Sequence, residues 1–98
     1  MATFSSGIGK QLIASGSVKA SAGVLLGYAI QHGTTTQSSV TFRDGGSGGT
    51  IKWVHSKEAV TAAGDATDKC IFSVPIVFST DIYVVLTGTG TKICVIYV

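Results

Sequence analysis

Apolar and polar positions alternate with a period of two along most of the chain, and almost nowhere does a helical period of three to four residues hold. The clearest stretch closes the chain. In residues 78–98, FSTDIYVVLTGTGTKICVIYV, Ile82, Val84 and Leu86 fall on one face of a strand and Ile93, Val95 and Tyr97 on one face of another. Their opposite faces carry Tyr83, Val85, Cys94, Ile96 and Val98, so both strands read as covered on both sides. Between them, Thr87-Gly88-Thr89-Gly90-Thr91 supplies glycines for the positive φ of a tight connection, and the whole reads as a hairpin. A C-terminal strand this apolar is expected inside a sheet or against another subunit.

Upstream, residues 1–9 are rich in Ser and Gly without a period and read as a flexible arm, followed by one β-sandwich domain over residues 10–98. Gly7-Ile8-Gly9-Lys10 superficially resembles a phosphate-binding loop. No strand precedes it, however, Gln11 stands where a Ser or Thr should follow the lysine, and Phe4 takes the place of the upstream glycine. Residues 11–20 suggest a first strand, bulged around Gly16. After a turn at 21–23, residues 24–32 make a second, apolar enough to be central. A polar connector leads to a strand at 38–43, with Val40 and Phe42 inward and Thr41 and Arg43 outward. Asp44-Gly45-Gly46-Ser47-Gly48-Gly49 is the strongest breaker, and residues 50–55 alternate again with Ile51 and Trp53 on one face. Residues 56–69 read mostly as loop, with a short helical turn through Glu58, Val60 and Ala63 that Gly64 ends. Residues 70–78 form a strand that Pro75 bends or confines to a sheet edge. About seven to eight short strands separated by turn signals define an all-β, single-domain antiparallel β-sandwich or small barrel.

Composition sharpens this picture. The 98 residues suffice for one domain that folds without staples. Charged residues make up 12%, against about 25% in a typical soluble domain, so Ser, Thr and Gly must cover the surface, which suits close contact with other proteins. The net charge of +2 is scattered over Lys10, Lys19, Arg43, Lys52, Lys57, Lys69 and Lys92 without a stripe, which argues against nucleic acid. No secretory signal pattern opens the chain, and the longest apolar run, residues 24–30, is too short for a membrane helix and broken by Gly27, so retention in a cytoplasm and no membrane partner are expected.

Candidate chemistry is sparse. Cys70 and Cys94 read as buried free thiols in apolar strands, with a disulfide as the alternative if those strands are neighbours. Neither belongs to a Cys-x-x-Cys pair or has a histidine at ligand spacing. The five carboxylates are Asp44, Glu58, Asp65, Asp68 and Asp81. Asp44 and Asp81 read as turn residues bonding nearby backbone amides, and Asp65 with Asp68 as an incomplete calcium pair lacking the EF-hand pattern. His32 and His55 end strands and read as solvated or capping, because no nucleophile or orienting carboxylate stands near either in sequence. No Gly-x-Ser-x-Gly elbow occurs. The expectation is a non-enzyme with no catalytic, cofactor or metal residue. Trp53 reads as a core residue against Phe42 and Phe72, or else as an interface anchor or sugar-stacking platform, and Tyr28, Tyr83 and Tyr97 suit subunit contacts.

Three pieces, Gly16-Ser17-Val18-Lys19-Ala20 running through Gly23-Val24-Leu25-Leu26-Gly27-Tyr28, then Val40-Thr41-Phe42-Arg43-Asp44-Gly45, then the closing residues 78–98, together resemble small all-β virion proteins of tailed bacteriophages. The group is that of capsid decoration or cement proteins and related head or tail accessory subunits. The resemblance implies a jelly-roll-like sandwich made in a host cytoplasm. It further implies a symmetric homo-oligomer, with a trimer favoured, on the outer surface of the head, and the major capsid protein lattice as partner. The alternative within the same resemblance is a receptor- or carbohydrate-binding module of a tail or head fibre.

Overall fold

The computed structural model describes residues 8–32, 37–57, 67–88 and 90–98. They form β1 (Ile8–Leu12), β2 (Gly16–Lys19), β3 (Gly23–Gln31), β4 (Ser38–Asp44), β5 (Thr50–Lys57), β6 (Thr67–Phe78), β7 (Ile82–Thr87) and β8 (Lys92–Tyr97), with no helix among the described residues. All pairings are antiparallel, in two four-stranded sheets of order β1-β8-β3-β6 and β2-β7-β4-β5. Only β4 and β5 are consecutive strands within one sheet, and every other connection crosses to the opposite sheet. That is the topology of an eight-stranded jelly roll.

The period-two pattern fills the space between the sheets. Leu25, Tyr28 and Ile30 of β3 and Ile93 and Val95 of β8 face Val40 and Phe42 of β4 and Ile82 and Val84 of β7, with Phe78 and Val18 completing one buried cluster. Tyr28 and Phe42 rings lie 5.2 Å apart at a 46° tilt, a favourable offset geometry at the centre of the layer.

Three sequence expectations are corrected here. Residues 78–98 are not a hairpin: β7 and β8 lie in different sheets. Their buried faces are nonetheless those the alternation gives, while Cys94, Ile96 and Val98 are exposed rather than covered. Residues 11–20 are not one bulged strand but parts of β1 and β2, again in opposite sheets. Ile51 and Trp53 do not share a face, because a register shift pairs Trp53 with Phe42 but Ile51 with Arg43, leaving Lys52 as the extra residue. β1 begins at Ile8, inside the segment read as an arm, and residues 1–7 lie outside those described, as does the helical turn read around Glu58.

Two devices shape the sheets. Pairing β3 with β6 runs Leu25 to Ile76 and then Gly27 to Ile71, so the four residues 72–75 arch out opposite Leu26, and Pro75 sits where no ladder bond is required. Beside the arch β6 crosses so close that a Cβ on Gly27 would lie 2.6 Å from the Cys70 carbonyl oxygen. At one end of the sandwich, Asp44 accepts bonds from Ser79 N–H and Oγ–H (both 2.9 Å) and Thr80 N–H (2.8 Å), while Asp81 Oδ1 accepts from Gly45 N–H (2.7 Å) and Gly46 N–H (3.1 Å). Each aspartate therefore secures the other's turn, 35 to 37 residues away, rather than amides nearby in sequence. Gly45 and Gly46 adopt φ of 112° and 82°, which opens their amides toward Asp81.

Two outcomes follow. Gly27→Ala is expected to destabilise the protein by about 1–3 kcal/mol in chemical denaturation, since the obstructing atom is backbone. The hydrogen bonds to Asp44, led by the Ser79 amide, hold its pKa down at about 2. A carboxylate depressed in the folded state contributes stability that is complete above its unfolded value of about 4 and is lost as pH falls through the folded value. Melting temperatures of wild type should therefore drop between about pH 4 and about pH 2, and Asp44→Asn should lower the plateau and flatten that drop. A variant that melts in parallel with wild type across the window would show that Asp44 does not secure the turn.

Candidate functional site

At the opposite end of the layer the inward-facing positions become polar. His32 follows β3 in phase with Tyr28 and Ile30, and Asp68 of β6 pairs with Ile30 two residues before Cys70, which pairs with Tyr28. From the other sheet, Ser38 begins β4 in phase with Val40 and Phe42, and Trp53 and His55 of β5 pair with Phe42 and Val40. Six polar or aromatic groups from four strands are thereby brought between the sheets.

They form one hydrogen-bonded chain. Trp53 Nε1–H donates to Tyr28 Oη (2.8 Å), which lies 2.9 Å from His55 Nδ1. His55 Nε2 is 3.2 Å and His32 Nε2 is 2.9 Å from the same Asp68 Oδ2, and His32 Nδ1 closes on Ser38 Oγ. The bonds are all satisfied when the Tyr28 and Ser38 hydroxyls donate to the two Nδ1 atoms and both Nε2–H groups donate to Asp68. The two rings stack at 5.5 Å and 29°. Burial is graded, with no exposed side-chain surface on His32 but 26% on His55 and 31% on Asp68, so the cluster opens to solvent on one side only. Burial, partly offset by the bond from Trp53, pushes the Tyr28 phenol up to about 12, so it stays a neutral donor at any physiological pH.

This corrects the reading of His32 and His55 as solvated or capping groups, for His32 is buried and both are bonded to Asp68. The reading of Asp65 with Asp68 as an incomplete calcium pair falls partly outside the described residues, because Asp65 is not among them, and neither is Glu58. Phase was the missed signal: each histidine continues the inward face of its strand. Trp53 does pack edge-on against Phe72, at 4.9 Å and 83°, but remains partly exposed. Cys70 points inward and Cys94 outward, since they pair with the consecutive residues Tyr28 and Ala29 on either side of β3, and both thiols are free. Cys94 is thus exposed rather than buried.

Chemically, Ser38, His32 and Asp68 are the constituents of a nucleophile relay, but Ser38 is fully buried, with its oxygen closed to solvent. The same histidines with Asp68 place two nitrogens and one oxygen within 4.8 Å of one another. Elsewhere, a groove lined by Gln11, Ala29, Gln31, Lys92 and Cys94 measures about 200 Å³, below the roughly 300 Å³ at which small-molecule pockets begin. No protein-family model, curated protein or solved structure matches the chain.

Removing one hydroxyl tests the chain of bonds. Ser38→Ala leaves the His32 Nδ1 position buried without its partner and is expected to cost about 1–3 kcal/mol in denaturant unfolding. Tyr28→Phe frees groups that water can reach, and should cost less, about 1 kcal/mol.

Proposed function

We propose that the chain is a structural subunit of a virus particle, a capsid decoration or cement protein that oligomerises and docks on a head shell of a tailed phage. The observation that carries this reading is the outer face of the β1-β8-β3-β6 sheet. Sandwich strands normally alternate inward apolar with outward polar residues. Here two rows of apolar groups run across three strands on the outside. One row is Val98, Val24 and Val77, joined through the Val24–Val98 backbone bonds of 2.9 and 3.0 Å, and the other is Ile96, Gly27 and Ile71. Val77 and Ile71 are 64% and 71% exposed, and Val74 in the neighbouring arch is 79% exposed. Scattered single apolar residues need no explanation, whereas contiguous rows on a chain with 12% charged residues suit burial against a protein neighbour. Copies of the same chain are the first such neighbour and the capsid lattice the second; the phage setting comes from the resemblance of the sequence pieces.

Light scattering during size exclusion should report a closed oligomer, a trimer near three times the 10.0 kDa chain, and Ile71→Lys with Val77→Lys should reduce it to monomer without altering the melting temperature by more than a few degrees. Added to phage heads lacking it, the wild type should bind and raise their disruption temperature. A monomeric wild type that neither binds such heads nor protects them would overturn the proposal.

A further inference from the structure

We infer that His32, His55 and Asp68 form a binding site for a divalent transition-metal ion, zinc being the best fit. The donor set is two imidazole nitrogens and one carboxylate, which suits a borderline cation and leaves a fourth position for water. Both Nε2 atoms already aim at one carboxylate oxygen, at 2.9 and 3.2 Å, and no pair of ligand atoms is more than 4.8 Å apart. A tetrahedral zinc with bonds of about 2.0–2.1 Å spaces its ligands by about 3.3 Å, so the protein edges bracket what the ion needs.

The groups behind the ligands support the assignment. A metal-bound imidazole donates its second N–H to an outer partner, which fixes the ring. His32 Nδ1 faces Ser38 Oγ and His55 Nδ1 faces Tyr28 Oη. Hydroxyls accept as readily as they donate, so both rings can move the proton from Nε2 to Nδ1 when the ion takes the Nε2 lone pairs, with no bond lost behind them. Entry is open as well, since His55 and Asp68 reach solvent while His32 forms the floor. The ligands come from β5 in one sheet, from β6 in the other, and from the residue after β3, so a bound ion fastens the two sheets together. The site is independent of the assembly role.

The test is calorimetric titration of zinc chloride into chelator-treated protein carrying Cys94→Ser, which removes the exposed thiol as a competing ligand. One equivalent of zinc should bind per chain and raise the melting temperature, and cobalt(II) should give the visible absorption of a four-coordinate ion. His55→Gln, at a partly exposed position, should weaken zinc binding by about 100-fold or more and abolish the thermal shift. Asp68→Asn should do the same. Absence of stoichiometric zinc uptake by the Cys94→Ser protein would overturn the site, and so would uptake that a folded His55→Gln variant leaves unchanged.

Discussion

Two four-stranded sheets closed over a single apolar layer shield its centre from solvent, so a polar group carried deep into it is stable only when it is hydrogen-bonded there. At the centre the layer meets this condition by excluding polar groups, with Phe42, Leu25, Ile82 and Val95 fully buried. Toward the β5 and β6 edge it meets it by linking them: Trp53, Tyr28, His55, Asp68, His32 and Ser38 bond in series across both sheets. A partly satisfied network in such a place costs more than an apolar one, because each orphaned group keeps its full desolvation penalty. That the chain of bonds is complete with one tautomer assignment is what allows charge-capable side chains to lie in the sandwich.

The ends and faces are organised by the same rule with different materials. One end is tied by exchange between Asp44 and Asp81, each accepting amides of the other's turn, which fixes the β4–β5 turn against the β6–β7 turn by hydrogen bonds. The outside of the β1-β8-β3-β6 sheet, by contrast, keeps apolar rows that solvent does not favour. Gly27 belongs to both requirements: it lets β6 approach β3 closely, and it leaves room for Ile71 to lie over the strand on the outer surface.

Much of this was legible from alternation. Inward Val40, Phe42, Ile82, Val84, Ile93 and Val95, the central place of β3, and the edge position of the proline-containing strand all follow from period-two patterning and the lack of a proline N–H. Sheet membership was not legible, because a short Gly- and Thr-rich link between two apolar strands serves a hairpin and a sheet-crossing equally well; only the global packing decides. The face of Ile51 was misread because a bulge of one residue inverts the alternation beyond it. The polar cluster stayed hidden because its members stand at positions 28, 32, 38, 53, 55 and 68, spread along the sequence and joined only by the packing of four strands. Their common inward phase was present, but His at a strand end reads as a solvent group unless that phase is followed past the last apolar residue.

Strand β6 brings the two surfaces into one argument. As an edge strand it has a single neighbour in its sheet, β3, and its ladder lapses over residues 72–75. Its further attachments run inward, through Asp68 to both histidines and through Phe72 to the Trp53 ring. Its outward side chains, Ile71 and Val77, are those that extend the exposed apolar rows. An edge strand with unpaired backbone and an apolar outer face pairs indiscriminately unless its position is fixed. The polar cluster beneath ties the strand to both histidines, so the order of the inner network also sets how the outer apolar rows are presented.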